Sequence, residues 1–221
     1  RVPRMKSAYQ LLAAIATVAV LAAPAQAQMK QSHAHMKHVL SSWNDTPDKA
    51  GLLPMAIEEL EIAQQHAALA LTKPDDLGSI KLHAGHVINA LDPSVEAKGP
   101  SRGYGVVKAA TGAGKHAGFA AAAGDASDGV KTHAAHVSVS AENVVAWATA
   151  AIALAKEIQA STSAADAKTK AEQLQATLET MMNGTDANGD GKITWEKGEG
   201  GLEQAAQHMG FMADGEEGFS S

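Results

Sequence analysis

The chain contains no cysteine. That absence excludes disulfides, covalently attached c-type haem, iron–sulfur clusters, thiolate metal sites and cysteine nucleophiles. Aromatic residues make up 4% of the 221 positions, too few for an ordinary β-sandwich. Charged residues make up 19% against 45% apolar ones, which excludes a disordered chain. There is no basic cluster, and 24 acidic residues outnumber 18 basic ones, so nucleic acid and anionic membranes are poor partners. What is abundant is alanine, with 20 glycines and 10 histidines. An all-α protein of small side chains is expected.

Residues 1–27 read as a secretory signal with an over-extended start. Lys6 precedes an apolar stretch from Leu11 to Ala23, and Ala25-Gln26-Ala27 offers small residues at a cleavage site. The stretch is short for a bilayer span. Cleavage after Ala27 removes Arg1, Arg4 and Lys6 and no acid, which takes the net charge from −6 to −9. A periplasmic or secreted protein is expected, with no later membrane-spanning segment.

The histidines are not scattered. His66–Val87 and His116–Val137 align without gaps, matching His66 with His116, Asp75 with Asp125, Lys81 with Lys131, His83 with His133 and His86 with His136. A third HxxHV, His35-Met36-Lys37-His38-Val39, lies upstream. Repetition of this kind marks duplicated supersecondary units. Apolar periodicity and turn signals place helices over 54–72, 76–92, 105–123 and 126–159, the last with a possible kink at Ser138–Ser140. Asp75 or Asp76 suits the cap of the second helix, and Asp125 with Asp128 the cap of the fourth. The expected architecture is a four-helix-bundle-like core of two duplicated hairpins in residues 28–160, followed by a helix-loop-helix in 161–221.

In an antiparallel hairpin, residues equidistant from the turn are level. His66 and His83 are equidistant from Pro74/Asp75, and His116 and His133 from Gly124/Asp125, at about 13 Å along the helices. His86 and His136 share a face with His83 and His133 through their i, i+3 spacing. Six imidazoles are therefore expected around one bundle core, with His35 and His38 completing the series. Each buried imidazole needs a partner for both nitrogens, and a metal satisfies the acceptor. All-histidine ligation suits copper, zinc or iron. Glu59, one helical face with His66, could join the first set. The His33, His35, His38, Met29 and Met36 cluster has a copper-like mix of imidazole and thioether. Alternatives are a His-ligated dinuclear metalloenzyme, a bis-imidazole b-type haem protein, for which aromatics are scarce, and a structural or interaction module in which the histidines only pack.

Ser163 and Asp166 open a further helix over 163–182 that Asn183-Gly184 closes. The segment Asp186–Lys197, DANGDGKITWEK, follows. It resembles EF-hand and dockerin-like calcium loops. The resemblance implies calcium held by Asp186, Asn188, Asp190 and the carbonyl of Lys192, with Gly191 at the sharp turn and Ile193 at the apolar position. Position twelve, a bidentate Glu in that family, is Lys197 here; Glu196 and Glu199 flank it as candidates to close the loop. His208, beside Met209 and Met212 on the exiting helix, is expected at the surface.

Overall fold

The computed structural model describes residues 29–220, and the expected signal segment, residues 1–27, lies outside them. The described residues form seven α-helices and no strand. They are α1 (Gln31–Leu40), α2 (Leu52–Leu71), α3 (Leu77–Leu91), α4 (Val106–Ala122), α5 (Asp128–Ala160), α6 (Ala164–Asn183) and α7 (Leu202–Asp214), with a 3-10 turn at Pro47–Lys49. This is the expected all-α bundle. Helices α2 and α3, and α4 and α5, pack as sequential pairs, and α5 also packs on α3, α6 and α7. At 33 residues α5 is about 50 Å long and serves as the spine.

The core explains the alanine content. Ala63, Ala67, Ala84, Ala109, Ala113, Ala117, Ala134, Ala148, Ala151 and Ala155 are essentially fully buried. Methyl side chains at helix contacts let the axes approach closely. Larger residues fill the ends and the α6 and α7 side, among them Leu60, Ile88, Leu174, Leu178, Met181 and Leu202. One core thus runs from α1 to α7, and the segment from residue 161 onward contributes to it. The valine of each HxxHV, Val39, Val87 and Val137, is buried in that core. It anchors the turn on which the two histidines sit.

Local signals set several boundaries. The Asp76 carboxylate accepts from Ser79 N–H at 3.0 Å and caps α3, as expected. Ser163 caps α6. Asp125 does not cap α5; Ser127 does, accepting from Val130 N–H. Asp125 instead reaches α1, where its two oxygens accept from Gln31 and Ser32 N–H. No kink interrupts α5 at Ser138–Ser140. The Ser138 hydroxyl contacts Ala134 O one turn back and Gly114 O of α4, so it is satisfied without breaking the helix. Contrary to expectation, α5 is long and apolar enough to cross a bilayer by length and composition. Its alanine-rich face is what the rest of the bundle covers.

The N-terminal helix is fastened to the C-terminal turn. Buried His33 meets Glu216 at 2.9 Å, and Lys30 meets the same oxygen at 3.0 Å. Burial alone would push the Glu216 carboxyl up, but hydrogen bonds from Ser127, His33 and Lys30 outweigh it and hold it at about 2.

Candidate metal centre

Nine of the ten histidines gather into three triads, each built from two helices. The first joins His35 and His38 of α1 to His116 of α4. The second joins His66 of α2 to His83 and His86 of α3. The third joins His133 and His136 of α5 to His208 of α7. The i, i+3 pair of each HxxHV supplies two imidazoles on one helix face, and an opposing helix supplies the third.

The geometry repeats closely. In the first triad His116 Nδ1 lies 3.1 Å from His35 Nδ1 and 3.2 Å from His38 Nδ1. In the second, His66 Nδ1 lies 3.0 and 3.2 Å from those of His83 and His86. In the third, His208 Nδ1 lies 3.0 and 3.3 Å from those of His133 and His136. One proton can be shared by only one pair of nitrogens, so three converging Nδ1 atoms cannot all satisfy each other. A single cation can. With metal–nitrogen bonds of ~2.0–2.1 Å, tetrahedral geometry spaces the nitrogens about 3.3–3.4 Å apart, close to what is observed. The same spacing does not fit b-type haem, whose axial nitrogens lie about 4 Å apart on opposite faces of a porphyrin, twice a metal–nitrogen bond.

The histidine that faces two others in each triad carries the largest electrostatic burden. His66, His116 and His208 are each lowered from 6.5 to about 4, first by burial and then by the positive charge their neighbours would bear. Burial, followed by neighbouring histidines, also lowers His38, His83 and His136. These imidazoles are therefore neutral near pH 7, the form that binds metal.

The triads differ in what surrounds them. The Trp43 ring packs 4.7 Å from His38 and 4.6 Å from His116, and Phe119 lies against His35 and His116. In the third triad Trp195 stacks on His136 at 4.0 Å and 11°, and Phe211 lies against His133 and His208. Among the described residues no Trp, Phe or Tyr ring packs on the imidazoles of the second triad.

Four expectations are corrected. His116 and His133 are level in one hairpin but belong to different triads, because level residues face each other only if both helices have the right rotation. Here α1 lies along α4 and α7 along α5, and each takes the histidine face of its neighbour. Six imidazoles therefore do not share one site. His208 is not a surface residue; it is 8% exposed and completes the third triad. Glu59 is no partner of His66. It is fully buried, and its carboxylate accepts N–H bonds from Arg102, Tyr104 and Gly105 at 2.9–3.1 Å, closing the loop between α3 and α4. The imidazole–thioether cluster is also dispersed: Met36 is in the core, His33 is on Glu216 and Met29 is exposed.

An acidic side chain sits at the N-terminal end of every HxxHV helix. Asp76 caps α3, Asp125 caps α1, and the pKa of Glu216 is held down in part by Ser127, the N-cap of α5. The three units are thus the same arrangement: a helix with one histidine, an acidic group past its end, and an antiparallel HxxHV helix. Only the second unit is contiguous in sequence. The missed signal was short but present: His116-Ala-Gly-Phe119 recurs as His208-Met-Gly-Phe211.

In the loop after α6, Asp186 gathers the N–H groups of Gly189, Asp190 and Gly191, and Asn188 accepts from Asp190. Gly189 and Gly191 have φ of 78° and 85°, where glycine is needed. Lys192 and Glu196 are exposed. Glu199 is buried and directed to Thr194, accepting from its N–H and hydroxyl. Among the described residues the acids of this loop do not converge as a group of three. Asn143 of α5 clamps the end of the loop, donating to Glu196 O and Gly200 O and accepting from Gly198 N–H.

No family model, curated protein or solved structure matches the chain.

Proposed function

We propose that this is an exported metal-binding protein that holds transition-metal ions at three all-histidine sites, one per triad, for capture, buffering or delivery. The observation that carries this reading is one Nδ1 atom lying 3.0–3.3 Å from the Nδ1 atoms of an i, i+3 histidine pair, three times over, with each set of three ligand atoms within 4.8 Å. Neutral imidazole suits copper, zinc and iron, and an acidic chain attracts cations from solution. Export rests on the signal-like segment 1–27, and a calcium ion in the loop from Asp186 rests on its resemblance to EF-hand and dockerin-like loops. A catalytic reading is weaker, because no carboxylate stands among the triad ligands to serve as a base.

Elemental analysis of protein purified from its own compartment, together with metal titration of the stripped chain, tests this. Three ions per chain are expected, reduced by one in each of His66→Ala, His116→Ala and His208→Ala. A folded native protein that carries no transition metal and binds none on titration would sink the proposal.

A further inference from the structure

Indole and benzyl rings pack on two of the triads and not on the remaining one. Trp43 and Phe119 lie against the first triad and Trp195 and Phe211 against the third, the two phenylalanines about half exposed, and no such ring lies against the second. Both tryptophans sit on fastened backbone. Trp43 lies in a turn where its backbone N–H donates to Ala50 O and its carbonyl accepts from the buried Thr46 hydroxyl at 2.7 Å. Trp195 is followed by Glu196, whose carbonyl is clamped by Asn143. We infer that the aromatic-walled triads select monovalent copper, and that the bare triad of His66, His83 and His86 takes a divalent ion such as zinc.

Charge and coordination set this preference, which rests on the reading of the triads as metal sites. All three sets are electrically neutral, with no carboxylate among the ligands. A dication in such a set keeps its full charge, and desolvation rises with the square of that charge, so apolar walls penalise it about four times as strongly as a monocation. A dication also needs a fourth ligand, normally water, which aromatic rings against the imidazoles displace. Monovalent copper accepts three nitrogens without a fourth. An indole face within about 6 Å further stabilises a cation while remaining neutral. No aromatic ring packs on the second triad, so a water in the fourth position of a zinc ion meets no such ring there.

The experiment supplies Cu⁺, under a reductant and without oxygen, together with Zn²⁺, both in excess, to the full stripped chain. The expected composition is two copper and one zinc per chain, with copper quenching the fluorescence of Trp43 and Trp195. Chains with one triad intact give the assignment: His66→Ala/His208→Ala keeps the first, His116→Ala/His208→Ala the second, His66→Ala/His116→Ala the third. The Cu⁺-over-Zn²⁺ preference is expected to be at least about tenfold greater at the first and third than at the second. Trp43→Leu and Trp195→Leu lower the preference at their own sites, and Trp43→Phe and Trp195→Phe restore it. Equal preference at all three triads, or three ions of one metal in the unaltered chain, overturns this inference alone. Binding of neither ion overturns the metal-site reading with it.

Discussion

The substitution His208→Ala separates the observed pairing from the one the sequence suggests. His208 lies 3.0 and 3.3 Å from the two α5 histidines, and truncation leaves His133 and His136 as a two-nitrogen site. Loss even of a group that only supports a ligand weakens metal binding about 10–100-fold. Loss of the ligand itself is therefore expected to cost more than about 100-fold, or ~2.7 kcal/mol, at one site of three. The fold should survive. The ring stands at the edge of the core beside Phe211, and its removal also relieves the burial that holds it at about 4. We expect the stripped protein to lose about 1 kcal/mol, a melting shift of ~2–4 °C at this size. Competition titration against a chromophoric chelator should show two strong sites, with the first and second unchanged. The contiguous-hairpin pairing predicts the reverse: His208→Ala silent, and His116→Ala damaging the site of His133 and His136. Three unchanged sites in His208→Ala would refute the assignment.

Other outcomes follow from particular contacts. In the stripped protein His66, His116 and His208 sit near 4 when folded and near 6.5 when unfolded, so the unfolded chain takes up protons first. Stability should hold above pH 6.5 and fall as the pH drops toward about 4; denaturant titrations showing no loss over that window would contradict the burial of these rings. Glu59→Ala leaves three N–H groups of the α3–α4 loop without acceptor and should cost ~3 kcal/mol or more, while metal stoichiometry per folded chain stays at three. Gly184→Ala forces a side chain at φ 81°, with its Cβ driven against Glu199 O, and should cost more than ~2 kcal/mol. Gly124→Ala, where nothing lies within 4 Å, is the matched control and should stay within about 0.5 kcal/mol. Trp195 and Asn143 connect the loop from Asp186 to the third triad, so if that loop holds the proposed calcium ion, its removal should weaken metal binding there and leave the other two triads unaffected. Calorimetry on single-triad chains, with and without calcium, would show otherwise if the loop and the triad are independent.

Periodicity in the sequence was enough to place α2 to α6 within a few residues and to recover the second triad whole. His66, His83 and His86 lie on two helices joined by one short turn, so sequence distance and spatial distance agree. They disagree elsewhere. His35 and His38 sit on a helix whose neighbour in sequence, α2, gives its one histidine to the second triad, and their partner is three helices away. The rotation of α4 about its axis decides whether His116 faces α5 or α1, and small buried residues such as Ala113 and Ala117 encode that rotation only weakly. His208 was obscured for a related reason: a lone histidine in a polar helix carries no spacing of its own. Glu59 shared a helical face with His66, but the fully buried carboxylate answers to the backbone of a loop about forty residues on.

The non-contiguous pairing has a topological consequence. An ion in the second triad bridges residues 17 apart, from His66 to His83, while one in the first bridges 81, from His35 to His116, and one in the third 75, from His133 to His208. Treated as cross-links on the unfolded chain, the long closures are worth about 4.5 kcal/mol of chain entropy and the short one about 3. A chain without cysteine has no covalent staples. Metal at the first and third triads would act as two removable ones, tying α1 to α4 and α7 to the spine, so that loading the protein and locking its outer helices become the same event.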